Sequence, residues 1–385
     1  MVAKNKRARR RLSRFGCRNC KLRKLKCDET RPQCTRCRAF GVICNFGFNV
    51  PDLHPLREDL AKQQPAGSFS LSSIQPTISS SIWVDDGSAF FTMDSYDREL
   101  FNRFRYRTLY TLGGSAMVDV YESHLLRASF SCPFLMHGTL AVTAVHDRYL
   151  GVTSNHRRSV RESHHWSRCT VLFNKWLSQS IKEQHKDPLW ATAGTLAILS
   201  FASINACSPE EAWPLGSPES SDLEWLRLGA GKAALRHLVN PLRPESAFRI
   251  LSETFALIRP LLPEKGADGV PADLAQLCDL GECSTRGNNP YFVVAHTLSS
   301  VLKEPKDTAS HVRVMMISAH MHHEFGDRLG RKDPVALLLL CLWYHRARES
   351  KWWIDIRARC ELPALCEYLR RHHKNNSAIQ ALIPI

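Results

Sequence analysis

Six cysteines, Cys17, Cys20, Cys27, Cys34, Cys37 and Cys44, fall within 28 residues in the order Cys-x2-Cys-x6-Cys-x6-Cys-x2-Cys-x6-Cys. The stretch divides into two halves, CRNCKLRKLKC and CTRCRAFGVIC, each repeating Cys-x2-Cys-x6-Cys. A two-residue gap lets two thiolates reach one tetrahedral zinc, and six residues leave room for one short helix before the third sulfur returns. Each half supplies three sulfurs, while a structural zinc takes four. Two ions therefore need eight bonds from six thiolates, and two cysteines must bridge. The doubled pattern makes Cys17 and Cys34, the first of each half, the natural bridges. So short a stretch has no core of its own, so metal binding is expected to supply most of its folding energy.

Charge singles out the same region. Residues 1–44 hold 15 Lys and Arg against the two acids Asp28 and Glu29, a net +13, while the whole chain carries +15. The other 341 residues are nearly neutral. A cationic head on a neutral body suggests a polyanion-binding module joined to something else. No apolar run opens the chain: its first 14 residues carry seven charges and read as no export signal. Clustered cysteines in an unexported chain read as metal ligands, not disulfides. The other eight cysteines are scattered and read as small buried hydrophobes.

Along the chain, residues 1–14 form a basic arm expected to be disordered, with Lys4, Lys6, Arg7, Arg9, Arg10, Arg11 and Arg14 as its charges. The cysteine module takes residues 15–47. Residues 48–90 read as a flexible linker, since 61–82 are rich in Ser, Gln and Pro and cannot fill a core. Within it Leu53, Leu56 and Leu60 fit one heptad, where a coiled coil needs three or four, which leaves homodimerisation open. From residue 91 to 385 the texture is that of one all-α domain. Asp94-Ser95 caps an apolar stripe of Tyr96, Leu100, Phe104 and Leu109, and Gly113-Gly114 ends it. Pro133 and Pro188 are read as opening two more helices. Further helices are expected at 157–183, 222–240, 246–259, 290–303, 309–329, 334–348 and 355–373. The fold class is thus mainly α: a small metal module with short helices, a linker and a large helical body. Residues 188–209 lack charge, but Thr192, Gly194, Thr195, Ser200, Ser203 and Asn205 dilute them, so a helix buried in a bundle is expected and no membrane span.

A helix over residues 18–26 would project Arg18, Lys21, Arg23, Lys24 and Lys26 around little apolar surface, aimed at phosphates or base edges of double-stranded DNA. Lys or Arg to guanine is the commonest specific contact in the major groove. The spacing of the six cysteines, the run KLRKLKCDE and Pro32 resemble the fungal Zn(II)2Cys6 binuclear cluster family of transcription factors. The resemblance covers residues 17–44. It implies two zinc ions per chain, a nuclear location and a first helix whose end reads a CGG-like triplet. Arg23 and Lys24 match the family's base-proximal pair, with Lys24 the main reader. Lys21, Lys26, Arg36 and Arg38 are expected on phosphates, and Leu22 and Leu25 between the two halves. The basic arm reads as a nuclear import signal, a nonspecific phosphate tether, or both.

Two body segments, SCPFLMHGTLAVTAVHDRYL (131–150) and EWLRLGAGKAALRHL (224–238), resemble fungal regulators related to sterol uptake control proteins. That resemblance implies a helical bundle that regulates activity, with a sterol or other lipid as ligand in some members. The alternative is a ligand-free interaction or dimerisation body. No catalytic constellation competes. LGAGKAAL lacks the Gly-x4-Gly-Lys-Ser/Thr spacing of a phosphate loop, and no HExxH accompanies His320, His322 and His323. The tryptophans read as core and interhelical packing.

Overall fold

The computed structural model describes residues 13–31, 33–40, 42–46, 52–53, 81–83, 89–152, 157–219, 221–252, 262–303, 314, 317–321 and 324–384. The arm charges Lys4 to Arg11, Pro32, Leu56, Leu60, His322 and His323 lie outside them. Two short helices, α1 (Arg18–Leu22) and α2 (Thr35–Ala39), belong to the cysteine module. The body is mainly helical: α3 (Ser95–Arg103), α4 (Leu109–Leu112), α5 (Ser115–Val120), α6 (Leu126–Ala128), α7 (Pro133–Tyr149), α8 (Val160–Leu177), α9 (Glu183–Phe201) and α10 (Glu224–Val239) come first. Then follow α11 (Ala272–Leu277), α12 (Phe292–Leu302), α13 (Glu324–Gly330), α14 (Pro334–Ala347), α15 (Trp352–His372) and α16 (Ser377–Leu382). Single π-helical turns, Phe104–Thr108 and Tyr121–Leu125, join α3 to α4 and α5 to α6. No helix among the described residues is long and apolar enough to cross a membrane.

Three expectations are corrected. The end of the stretch read as linker is a hairpin, β1 (Ser81–Trp83) paired antiparallel with β2 (Ala89–Thr92). Ile82 is fully buried in it, against Met93, Leu100, Phe101, Met136 and Leu140. Phe91 packs on the same cluster and Phe90 on a neighbouring one, and these apolar side chains outweigh the polar composition before them. Next, α9 begins at Glu183, and Pro188 lies inside it. Finally, Cys207 and Cys283 are exposed, not buried.

Fifteen of the 17 residues of α7 are buried, which makes it the central helix. It packs on α8 and α9. Gly138 permits the approach, since a Cβ there would lie 3.2 Å from the Cys169 sulfur. One apolar core lies beneath α4 to α10 and a second beneath α10 to α16, while α3 packs on the cluster around Ile82. The start of α15 serves both: Trp352 enters the first core, and Ile354 and Ala358 enter the second. Arg357 ties the halves together by donating to the carbonyls of Phe201 (2.7 Å) and Ser203 (2.8 Å) at the end of α9. Carbonyls there have no partner within their own helix.

The first core also buries charge and imidazole. Asp147 accepts from Arg103 (2.7 Å) and Arg107, and neither Asp147 nor Arg107 reaches solvent. His146 stacks on Trp352 and pairs with Thr108 at 3.0 Å. His137 lies 2.9 Å from His165, which faces Asp97 at 3.1 Å. Burial, then the neighbouring His165, pushes His137 down to about 3. Burial, then Arg107, holds His146 well below its ordinary value. Both stay neutral in the folded chain while an unfolded chain takes up protons near pH 6.5. The unfolded state therefore binds more protons below that pH, and stability falls as pH drops. Lowering the pH from 7.5 to 5.5 should remove about 2–3 kcal/mol from the body. No tryptophan precedes residue 83, so urea melts followed by tryptophan fluorescence report the body alone. Equal midpoints at the two pH values would refute the neutral-imidazole assignment.

Candidate zinc centre and nucleic-acid interface

The six module cysteines are all buried. Their sulfurs form two groups of four, Cys17, Cys20, Cys27, Cys34 and Cys17, Cys34, Cys37, Cys44, each with all sulfurs within 4.8 Å of one another. Cys17 and Cys34 belong to both. Individual separations are 3.8 Å for Cys17–Cys34, 3.5 Å for Cys17–Cys37, 3.7 Å for Cys20–Cys34 and 3.9 Å for Cys17–Cys27. A tetrahedron of sulfurs about 2.3 Å from a zinc has edges of about 3.8 Å, so the residues fit the metal. Burial and then the hydrogen bond to Cys17 push the Cys20 thiol far up, and burial pushes Cys44 up to about 12. Sulfurs this crowded become thiolates only with a cation among them.

The two halves repeat each other in structure. Cys17 caps α1 by accepting from the Cys20 amide, and Cys34 caps α2 by accepting from the Cys37 amide. The expected helix over 18–26 is cut short at Leu22. Leu25 N–H donates to the Cys20 carbonyl (2.9 Å) and Lys24 N–H to the Lys21 carbonyl (3.1 Å), the paired closure of a Schellman motif. Lys24 fills its left-handed position, with φ 52°. A glycine normally sits there, and the aligned residue of the second half is Gly41. The closure turns the chain so that Cys27 returns to the sulfurs. Arg23 and Phe40, the aligned C-caps of the two helices, stack on each other with the guanidinium carbon 3.4 Å from the ring centroid. This cation–π contact joins the halves, while Leu22 and Leu25 are only half-buried.

Residues 15–49 match the family described as Fungal Zn(2)-Cys(6) binuclear cluster domain. The module is a zinc cluster domain. Such a domain binds two zinc ions. Over 413 aligned residues the chain is 27% identical to a Zn(2)-C6 fungal-type transcription factor of Gibberella zeae, covering 92% of this chain and 81% of that protein. It is 44% identical over 71 residues to the Aspercryptin biosynthesis cluster-specific transcription regulator atnN of Emericella nidulans, covering 17% of this chain and 11% of the regulator. It is 28% identical over 146 residues to the Zn(2)-C6 fungal-type transcription factor afumD of Aspergillus fumigatus, covering 37% of this chain and 35% of that factor.

On the zinc cluster domain Arg18, Lys21, Lys24 and Lys26 are exposed on the first half, and Arg36 and Arg38 on the second. Arg23 is half-buried on Phe40. Arg18 meets Asp52 at 2.9 Å. Of the arm, the described Arg14 is exposed. Several residues that hold the domain together have no signal in the sequence pattern. Asn19 and Asn45 are buried. Asn45 accepts from the Asn19 amide (2.7 Å) and donates to Asp52 (2.8 Å), and Asn19 accepts from the Leu53 amide (2.8 Å). The Ser13 hydroxyl accepts from the Cys27 amide (2.6 Å) and donates to its carbonyl (2.8 Å), which fixes where the basic arm joins the cluster. Asp28 accepts from the Thr35 hydroxyl and, at 3.1 Å, from its amide. Those bonds hold its carboxyl down at about 2.

Proposed function

We propose that this chain is a nuclear transcription regulator. Its zinc cluster domain binds double-stranded DNA at a CGG-like triplet, with Cys17, Cys20, Cys27, Cys34, Cys37 and Cys44 as zinc ligands and Lys24 as the principal base reader. The observation that carries the reading is the backbone of Lys24. A lysine held in the left-handed conformation costs about 1 kcal/mol relative to glycine, and such strain concentrates where a side chain has a task. The ammonium is exposed at the turn that ends α1. Lys21, Lys26, Arg36 and Arg38 flank it as phosphate contacts, and Arg18 joins them only by leaving Asp52. Arg23, stacked on Phe40, serves to hold the halves in register.

Lys24→Ala should cost about 1–3 kcal/mol of binding to the preferred triplet and flatten discrimination among triplets. Lys24→Gly should lose the same discrimination while leaving the domain as stable as before or more so. Fluorescence anisotropy at one fixed salt concentration, on duplexes that vary only the triplet, measures both. An unchanged triplet preference in both variants moves the base contact elsewhere.

The helical body regulates the output of this domain. Two surface clefts, of about 430 and 700 Å³, are lined respectively by His372, His373, Asn375, Asn376 and Ser377, and by residues including Glu183, Lys186, Asp187, Arg243 and Glu245. Charged and polar residues line both, so neither has the apolar wall that a sterol needs. The body is either a lipid sensor with its site elsewhere or a ligand-free interaction body. Native mass spectrometry of residues 85–385 separates the two: a co-purifying mass of a few hundred daltons supports the sensor, and a clean apo protein the interaction body.

A further inference from the structure

Outside the zinc cluster, two thiols from different helices touch. Cys341 of α14 and Cys366 of α15 have their sulfurs 3.2 Å apart, and the two helices pack side by side. Cys341 is fully buried and Cys366 is 6% exposed. A disulfide needs its sulfurs at about 2.05 Å, so bond formation requires an approach of only about 1 Å. We propose that Cys341 and Cys366 are a reversible redox pair, closed to a disulfide by a peroxide-class oxidant.

Geometry orders the steps. Cys366 is the less completely buried residue of the two, and Arg370 lies one turn further along the same helix. The hydrogen bond with Cys341, aided by the charge of Arg370, draws the Cys366 thiol below its ordinary range despite burial. The Cys341 thiol is held well above that range by the same hydrogen bond and by burial. The Cys366 thiolate attacks one peroxide oxygen. An S–O bond forms, the O–O bond breaks, and the departing hydroxide takes up a proton as water. The Cys341 sulfur then attacks the Cys366 sulfur. The S–S bond forms, the S–O bond breaks, and hydroxide leaves with the Cys341 proton as a second water. Two thiols lose two electrons in all, and one hydrogen peroxide becomes two waters. A small thiol reverses the bond by exchange.

The pair lies where it can affect the end of the chain. The Cys366 sulfur is 4.0 Å from the Pro384 carbonyl, which Arg370 also approaches at 3.5 Å. Ile379 and Ile383 of the same terminal segment are buried in the core that holds both cysteines. Moving the Cys366 sulfur towards α14 loosens its contact with Pro384.

The test is residue-resolved thiol mapping of the zinc-loaded full chain titrated with hydrogen peroxide. Free thiols are alkylated before and after denaturation, and peptides are identified by mass spectrometry. Mapping by residue separates this pair from the zinc-bound sulfurs, and the exposed Cys283 marks the progress of oxidation. The expected result is a Cys341–Cys366 cross-linked peptide in most chains, lost on adding dithiothreitol. In Cys341→Ser the reaction should stop at a Cys366 sulfenic acid that dimedone traps. The proposal is overturned if both thiols remain alkylatable once Cys283 is fully oxidised. It is equally overturned if wild-type Cys366 is oxidised without linking to Cys341. The wild-type map decides by itself should the variant fail to fold.

Discussion

Replacing Cys17 with serine should empty both metal positions, whereas replacing Cys27 should leave the other group of four sulfurs complete. Cys17 and Cys34 are the two sulfurs common to both groups, while Cys20, Cys27, Cys37 and Cys44 each serve one. Structural zinc contributes about 10–16 kcal/mol of apparent binding energy at neutral pH. A domain this small has no apolar core to replace it. Wild-type chain should carry two zinc ions, Cys17→Ser and Cys34→Ser near none, and Cys27→Ser and Cys44→Ser an intermediate amount. Elemental analysis after gel filtration gives the count, and DNA binding should be lost with the bridging substitutions. Equal zinc in Cys17→Ser and Cys27→Ser would sink the bridging assignment.

The second large effect belongs to the body. Asp147→Ala should destabilise it by about 3–5 kcal/mol, because the buried guanidinium of Arg107 would be left without its carboxylate. Two of the Arg107 nitrogens, Nε and Nη1, already lack a partner, and without Asp147 the third would keep only the neutral Thr108 hydroxyl at 3.2 Å. Arg103 is less affected, since Glu99 also pairs with it. Urea melts read by tryptophan fluorescence measure the loss, and Trp352 stacked on the adjacent His146 makes the signal local. The double variant Arg107→Met with Asp147→Leu should recover most of the stability, since replacing a whole buried pair with apolar groups is often neutral. A double variant as unstable as Asp147→Ala would show that the loss comes from packing and not from the orphaned charge.

What the sequence made legible, and what it hid, follows from how local each signal is. The metal centre was readable because zinc imposes a coordination number, and six sulfurs at doubled spacing admit one economical solution. The helical body was readable from its apolar stripes and from the cap at Asp94, which accepts from the Asp97 amide. The early end of α1 was hidden because a lysine occupies the position where glycine would have announced it. Asn19 and Asn45, 26 residues apart, carry no signal in the sequence until the fold brings them together. Arg107 and Asp147, 40 residues apart, give no local sign of pairing, and nothing in HDRY discloses that its aspartate is buried. The hairpin was hidden because the apolar residues that anchor it, Ile82, Phe90 and Phe91, sit at the edge of a stretch rich in Ser, Gln and Pro.

Each half of the zinc cluster domain begins with a sulfur that has two tasks, holding the metals and closing the first turn of its helix. The two metal positions therefore share the sulfurs that cap both helices carrying the basic side chains, so filling one position prepares the other. A half-loaded chain should not present half an interface. DNA binding should rise with free zinc as a threshold, sigmoidal rather than hyperbolic, so that a modest fall in available metal silences the domain outright.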